Sequence, residues 1–236
     1  MTNPNWRPDP ENKQTGSNPA STGGAEAFLG KEIRQIDDWL AIETDGTVLV
    51  KSGKVELGTG TRTALAQIVA DELDVAIESV RMVMGDTDKT PNEGYTAGSM
   101  TIRRSGGALR LAAAEARAAL LEMASESLDA SVDELVVRNG IVSSMHHPDQ
   151  STTYHELMGG KKFNREFSDA TRTKSPKDYR VVGESIPRLD LADKFLGKPS
   201  FIHDLHVPGM LHARVIHPPS VGAHVSSLDE GSLGDT

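Results

Sequence analysis

Two dipeptides, Asp45-Gly46 and Asn139-Gly140, constrain the fold of this chain more than any other sequence feature. Each one separates two runs that favour strands: WLAIET from TVLVK in the first case, and ELVVR from IVS in the second. Both dipeptides tolerate the positive φ angles of the tight turns that connect antiparallel strands. The sequence therefore predicts two β-hairpins, one at each dipeptide.

Two helices are predicted between these hairpins. The first follows Gly60, with Thr61 as its expected N-cap, and the second runs from about Thr101 to Ser127. Their apolar residues at helical spacing are Leu65, Ile68, Val69 and Leu73 in the first helix, and Leu109, Ala113, Ala116, Leu120 and Met123 in the second. Hairpins that alternate with helices, without a strict strand-helix-strand repeat, favour an α+β fold in which the hairpins pack with these two main helices.

Shorter elements are predicted from local runs. We expect strands over KVEL (54–57) and SVRMVM (79–84), a long loop over 85–99, and one or two helical turns over TYHELM (153–158). Further along, YRVVGE, PSFIHDL and LHARVI suggest short strands, and LADKFLG suggests one short helix.

Composition divides the chain into three parts. Residues 1–35 are rich in Pro, Asn, Ser, Thr and Gly and have no apolar periodicity, so we expect a flexible leader. Residues 36–170 contain both hairpins and both helices and form the predicted main domain. The polar segment 167–178 is the expected boundary to a second domain, 178–236, which we expect to be incomplete.

Charge and residue content exclude several classes of function. The 236 residues include 25 Lys and Arg against 34 Asp and Glu, and the net charge of -9 leaves no basic surface for a nucleic acid. The absence of cysteine excludes disulfides, cysteine nucleophiles and iron–sulfur clusters bound by this chain. No stretch approaches the ~20 apolar residues that span a bilayer. We expect no membrane insertion and a cytoplasmic location, or a periplasmic one if a partner chain carries an export signal.

The first candidate site is the segment from Glu56 to Thr61, where two glycines lead into the first predicted helix. Free backbone N–H groups at such a helix start can bind an anionic or polar ligand that comes close at Gly58 and Gly60. The alternative is a turn whose glycines only permit positive φ. Thr63 stands where a dinucleotide fingerprint needs a small residue, so the segment is a poor fit to a Rossmann motif.

The second candidate site is the end of the long loop, Thr96 to Thr101, directly before the second helix. Its hydroxyls and backbone N–H groups suit a phosphate or a pterin ring. Ordinary capping of the helix by Ser99 is the alternative. The presence of two such loops in one small domain favours a shared site.

Other polar groups are better explained without a site. The histidines between 203 and 217 match no zinc-ligand spacing, so no metal site is predicted. Arg103, Arg104 and Arg110 lie near the start of the second helix and could approach a pyrophosphate. Arginines exposed on a helix are the commoner case, and we leave them out of the predicted site.

Three runs carry a resemblance to a known family: KVELGTGTRTALAQIVADELDV, VRMVMGDTDKTPNEGYTAGSMTI and the alanine-rich helix that follows. They resemble the molybdopterin-binding region of the xanthine dehydrogenase and aldehyde oxidase family, and more closely the large subunits of the isoquinoline 1-oxidoreductase and nicotinate dehydrogenase type. The similarity extends over roughly Trp39 to Asp229. Its last part, from YRVVGE to LHARVIHPP, is similar to the start of that family's α/β hammerhead domain.

The resemblance implies a subunit of a molybdenum hydroxylase, which oxidises an N-heterocycle or an aldehyde with oxygen from water. It implies that both loops contact the molybdopterin cofactor, with or without a cytosine nucleotide. The cofactor-binding residues are then Gly58, Thr59, Gly60, Thr96, Ala97, Gly98, Ser99, Met100 and Thr101. Thr59 is a departure, because many members of the family have glutamine there, whose amide hydrogen-bonds near the metal centre.

The resemblance also implies that the catalytic glutamate and most of the cofactor pocket lie outside this chain. No motif around Glu56 or Glu93 matches that glutamate, so no catalytic residue is predicted here. We expect the chain to be inactive alone and to require the remainder of the large subunit and a small iron–sulfur subunit. The alternative is a non-catalytic remnant that keeps the fold and binds no cofactor.

Overall fold

A computed structural model describes residues 34–168, 171–198, 201–229 and 231. Nearly all of the predicted leader lies outside these residues. The structure combines helices with two small sheets, in agreement with the predicted α+β class.

The first sheet forms around the Asp45-Gly46 turn. A one-turn helix α1 (Ile36–Trp39) leads into β1 (Leu40–Ile42), which pairs antiparallel with β2 (Val48–Ser52) and confirms the first hairpin. The prediction that the strand starts at Trp39 is wrong, because this residue ends α1, where its side chain is buried in the core. On its other side β2 pairs in parallel with β3 (Val80–Met84), a pairing that the sequence analysis did not anticipate.

Both predicted main helices are present. Helix α2 (Thr61–Leu73) crosses from β2 to β3, as parallel pairing requires. After the loop 85–100, a π-helical turn (Thr101–Gly106) continues into α3 (Gly107–Leu128). The small buried residues Ala112, Ala113 and Ala116 of α3 contribute to the core, and α3 packs against α2.

The second sheet forms around Asn139-Gly140. Strands β4 (Leu135–Arg138), β5 (Ile141–Ser144) and β6 (Ser151–Thr153) are all antiparallel, in that order. Asn139 and Gly140 have φ of 50° and 74°, as a type I′ turn requires, so the second hairpin is confirmed. Helix α4 (Tyr154–Met158) follows and packs its buried Tyr154 and Met158 into the core.

The predicted strands over KVEL, YRVVGE and LHARVI are absent, and so is a strand over 201–205, the described part of PSFIHDL. Residues 53–60 contain no strand, because Val55 N–H donates to the Thr96 hydroxyl and not to a neighbouring strand. Among residues 171–198 and 201–229 the structure has no strand either, although the short helix α5 (Leu191–Phe195) is present. The backbone N–H groups of 180–182 donate to the Asp71 side chain. The backbone hydrogen bonds within 201–229 close local turns, so neither region forms the hydrogen-bond ladder of a sheet.

The compact part of the chain that carries both sheets continues to Ala192, and residues from Asp193 form a second unit. The domain limits given above, 36–170 and 178–236, remain predictions. No helix among the described residues is long and apolar enough to cross a membrane.

Candidate cofactor-binding site

The two predicted loops line one cavity of about 330 Å³. Residues from the segment 57–61 form one side and residues from 96–102 form the other. The lining residues are Leu57, Thr59, Thr61, Thr96, Ala97, Ser99, Thr101 and Ile102. Gly58, Gly60, Gly98 and Met100 do not line the cavity themselves but lie beside residues that do. The structure thus brings the two loops together, and their binding of a cofactor stays a prediction.

The carboxylate of Glu56 holds the first loop against the start of α2. Glu56 Oε1 accepts the N–H of Gly60 at 3.0 Å, and its Oε2 accepts the N–H of Arg62 at 3.0 Å and the Thr61 hydroxyl at 3.2 Å. Burial alone raises the pKa of Glu56, but the hydrogen bonds from Arg62, Gly60 and Thr61 outweigh this effect and hold its pKa below the ordinary value. Glu56 therefore caps α2 from outside the helix.

This cap corrects two expectations about the first loop. Gly60, with φ of 78°, is the N-cap, and Thr61 is the first helical residue, because the Glu56 side chain accepts the bonds expected of a capping hydroxyl. The N–H groups of Gly60 and Arg62 are also not free for an anion, since both donate to Glu56. What the first loop offers to the cavity is the side chains of Leu57, Thr59 and Thr61.

A second carboxylate anchors the long loop to the end of β2. Glu93 Oε2 accepts the Ser52 hydroxyl at 2.8 Å and the Gly53 N–H at 2.7 Å, while its Oε1 accepts the Ser105 hydroxyl of the π-helical turn. The carboxylate therefore joins a strand end, the loop and the start of the long helix. The end of this loop lines the cavity just before the same turn.

The buried ammonium group of Lys54 also binds the backbone of the long loop. Lys54, which is 2% exposed, donates from Nζ to the carbonyls of Glu93 at 2.6 Å, Tyr95 at 2.7 Å and Gly94 at 3.4 Å. Three carbonyls replace the water that a buried cation loses, which makes its burial tolerable. The loop is thereby held directly before the residues that line the cavity.

The end of the second loop has a backbone that few residues adopt. Gly98 has φ of 62°, and Ser99, which has a side chain, has φ of 56°. Such a conformation costs of order 1 kcal/mol for a residue other than glycine and is commonest where surrounding structure imposes it. Ser99 does not cap the helix, because Met100 occupies the N-cap position without a side-chain cap. The capping alternative for Ser99 is therefore wrong.

Sequence reasoning missed the scaffolding roles of Glu56, Lys54 and Glu93. The available signal for Glu56 was a carboxylate just before a helix start that lacks Ser or Asp at the N-cap. Lys54 and Glu93 gave no such signal, because the carbonyl partners of Lys54 and the Ser52 and Gly53 partners of Glu93 are 39 to 41 residues away in sequence.

The polar groups left out of the site stay outside it. Arg103 and Arg104 are exposed and do not line the cavity, whereas Arg110 is engaged by Glu72 at 2.8 Å. The part of the chain that is described contains no group of three or more side chains suited to a metal ion. A larger cavity, of about 480 Å³ at the C-terminal end of α2, contains none of the predicted residues, and its Asp71 and Asp74 already bind donors.

Comparison with known proteins identifies the family. The molybdopterin cofactor-binding domain family matches residues 14–185, which is most of the chain. This chain belongs to that family. It is 41% identical over 208 residues to one of the subunits of nicotinate dehydrogenase from Pseudomonas putida, and this match covers 85% of the chain but 17% of that protein. It is 29% identical to the beta subunit of isoquinoline 1-oxidoreductase from Brevundimonas diminuta, with 92% and 33% covered.

The chain thus spans between a sixth and a third of the length of these two relatives. Among solved structures, carbon monoxide dehydrogenase from Oligotropha carboxidovorans shares 27% identity at a TM-score of 0.46, over 50% of this chain and 15% of that one. Membership of the family confirms the resemblance to molybdenum-dependent oxidoreductases that the sequence analysis drew.

The residues around the cavity fit a molybdopterin. The hydroxyls of Thr96, Ser99 and Thr101 can donate to a pterin edge or a phosphate. The hydroxyls of Thr59 and Thr61 donate to Glu56 and can still accept a hydrogen bond, and Leu57 and Ile102 provide apolar surface for a ring face. A Cβ atom added at Gly58 would meet no atom within 4 Å, so the backbone of the first loop is open at this residue. The donor set contains no thiol or imidazole, which agrees with a ligand bound through its organic part.

Proposed function

We propose that this chain forms part of the binding site for the molybdenum cofactor in the large subunit of a molybdenum hydroxylase. The observation that carries the proposal is the single cavity to which both loops contribute hydroxyls within a domain of the molybdopterin-binding family. Thr59, Thr61, Thr96, Ser99 and Thr101 would hold the pterin and its anionic end.

When bound, the cofactor supplies the two-electron centre at which an N-heterocycle or an aldehyde is hydroxylated with oxygen from water. The role of this chain is to bind and orient the cofactor. Glu56 accepts hydrogen bonds from the start of α2, and Glu93 accepts them from Ser52 and Gly53. Neither carboxylate is therefore available as a base. We therefore assign the catalytic glutamate to another part of the subunit and expect no turnover from this chain alone.

Thr59 gives the first loop a shorter polar group than the glutamine of many family members. Its hydroxyl lies 3.4 Å from Glu56 Oε1, on the side of the helix start. A bridging water would be needed to extend its reach toward a metal ligand. We propose that Thr59 contacts the pterin and not the metal centre.

The proposal also covers the surroundings of the site. The remainder of the large subunit completes the pocket, with residues 178–236 as the start of its hammerhead domain, and a small iron–sulfur subunit accepts the electrons. We place the assembly in the cytoplasm. Acid release of cytidine monophosphate from the retained cofactor would identify the cytosine dinucleotide form.

The test compares two threonines of equal burial. Thr101 lines the cavity and is 8% exposed, whereas Thr152, which lies on β6 outside the cavity, is 9% exposed. Thr101→Val and Thr152→Val each remove one hydroxyl at nearly constant shape. The wild-type chain and both variants are each purified together with the remainder of the large subunit from cells that make the cofactor, and retained pterin and molybdenum are measured per chain.

We expect the wild-type chain and Thr152→Val to retain pterin, and Thr101→Val to retain about tenfold less, as loss of a buried ligand hydrogen bond predicts. If the folded wild-type chain retains none in the presence of the remainder of the subunit, the proposal is wrong and the remnant interpretation holds. Equal retention by both variants would remove Thr101 from the site.

A further inference from the structure

Residues 174–190 form a strap that runs along α2 from its C-terminal end to its N-terminal end. Lys174 binds Glu72 and Asp74 near the last turn, and the backbone N–H groups of 180–182 donate to the Asp71 carboxylate. Gln67, one turn earlier on the helix, donates to the Val181 carbonyl at 2.7 Å. The strap therefore follows the helix turn by turn toward the candidate cofactor site.

The strap ends at the first loop of that site. Leu189 N–H donates to the Thr63 hydroxyl at 3.0 Å, and Arg188 Nη1 donates to the carbonyl of Gly58 at 3.0 Å. The side chain of Arg188 also covers Gly60, where an added Cβ atom would lie 3.7 Å from Arg188 Cδ. A residue 130 positions away in sequence thus binds the loop at the carbonyl of Gly58.

The guanidinium group of Arg188 is itself fixed. Its Nε and Nη2 donate to the two carboxylate oxygens of Asp190, at 3.0 Å and 2.8 Å, and Nη2 lies 4.0 Å from Glu56 Oε1. A bidentate pair of this kind sets the plane of the guanidinium and so the direction of Nη1. Arg188 therefore presents one oriented donor to the loop.

The loop needs such a restraint because of its composition. Gly58 and Gly60 have φ of 92° and 78°, and glycine loses more conformational freedom on ordering than any other residue. Glu56 accepts hydrogen bonds from the N–H groups of Gly60 and Arg62. Because an ionised carboxylate is only an acceptor, it does not bind the carbonyl groups of the loop. The bond from Arg188 fixes the Gly58 carbonyl and with it the peptide that precedes Thr59.

We propose that Arg188 is a positioning residue that holds the Gly58–Gly60 loop in the conformation that binds the cofactor. The inference rests on the proposed function for the identity of the ligand, but the positioning of the loop is a property of this chain alone. Preorganisation of a binding loop raises affinity because less freedom is lost when the ligand binds.

The experiment measures hydrogen–deuterium exchange of the peptide 57–62 in the chain without cofactor. Arg188→Met is compared with the wild type, with Arg188→Lys, and with Arg165→Met. Arg165 is a matched control, because it is similarly exposed (35% against 29%) and makes a two-bond pair with Glu122 on α3, away from the site. Thermal unfolding of each variant separates a local change from a global one.

We expect exchange over 57–62 to rise about fivefold in Arg188→Met, to recover in part in Arg188→Lys, and to stay at the wild-type rate in Arg165→Met. Unchanged exchange in Arg188→Met, or a rise of equal size across the chain, would overturn the positioning role.

Retention of pterin is measured on the same variants, each purified together with the remainder of the large subunit. A loss of about tenfold in Arg188→Met supports the link from loop order to cofactor binding, in line with the effect of groups that orient a binding residue. Faster exchange with full retention would overturn that link. If the wild-type chain retains no pterin, the proposed function fails, while the exchange data still decide whether Arg188 positions the loop.

Discussion

Glu56 is the residue on which the start of α2 depends. Its carboxylate serves as an acceptor for two backbone N–H groups and a hydroxyl, in place of the Ser or Asp that normally caps a helix. Its side chain is only 6% exposed, so water cannot take over these bonds if the charge is lost. One residue thus links helix stability to the shape of the cavity wall at Thr59 and Thr61.

Replacement of Glu56 by glutamine leaves one acceptor oxygen where two are used. We expect Glu56→Gln to lower the free energy of unfolding at pH 7 by about 1–2 kcal/mol, as for loss of a helix cap with a charged acceptor. Glu126→Gln, which changes an exposed carboxylate on α3, is the control and should have little effect. Urea unfolding at pH 7 measures both.

The stabilisation that Glu56 provides should depend on pH. Because the pKa of Glu56 is lowered in the folded state, its stabilising contribution is complete above the unfolded-state pKa of about 4.3 and is lost as the pH falls through the folded-state pKa. The difference in free energy of unfolding between wild type and Glu56→Gln should therefore be constant from pH 7 to about 5 and become smaller below about pH 4. A gap that stays constant down to pH 3 would contradict the assignment of the cap.

At the scale of elements, the contact between the end of β2 and the second loop decides how the cavity is built. Gly53 has no side chain at this contact, and a Cβ atom there would lie 2.1 Å from the carbonyl oxygen of Pro91 and 3.1 Å from the N of Glu93. The absence of a side chain is what lets Glu93 reach the Gly53 N–H and Ser52.

We expect Gly53→Ala to cost about 3 kcal/mol of unfolding free energy, because backbone atoms must move apart and the Glu93 anchor is strained. Gly94→Ala is the matched control in the same loop. It meets no atom within 4 Å and carries only the penalty of its φ of 68°, about 1 kcal/mol. Equal decreases in the free energy of unfolding for Gly53→Ala and Gly94→Ala, measured in urea, would show that the backbone around Gly53 moves apart without an added energetic penalty.

At the scale of the whole molecule, the strap joins residues that are far apart in sequence. Asp71 is 3% exposed and accepts the N–H groups of Arg180, Val181 and Val182 at 2.6 to 3.2 Å. These bonds replace the ladder that a strand over YRVVGE would have made. Removal of this acceptor should release the strap from α2 while both sheets stay intact.

We therefore expect Asp71→Asn to speed tryptic cleavage after Lys177 and Arg180 by about tenfold, because cleavage requires local opening of the strap. The amide nitrogen of asparagine would face N–H donors, so at least one bond is lost. Asp133→Asn, at an exposed carboxylate before β4, serves as the control. Cleavage at the wild-type rate would mean that other strap contacts are sufficient.

The features that depend on neighbours in the chain can be predicted from the amino-acid sequence alone. Asn139-Gly140 adopts positive φ because these two residues tolerate it wherever they occur, and the apolar spacing in 61–73 and 107–128 fixes a helix face through the helical repeat. The two loops could be picked out for the same reason, from glycine and hydroxyl residues before each helix. The family resemblance then pointed to their ligand.

The contacts that bring these loops together are long-range contacts of the folded chain. The parallel pairing of β2 with β3, the Glu93 anchor and the strap all join residues separated by tens of positions. Local propensity does not encode such contacts, so KVEL was predicted as a strand although its backbone is paired with a side chain. The cap on α2 was missed for a related reason, because a glutamate four residues before Gly60 becomes a cap only when the loop folds back on it.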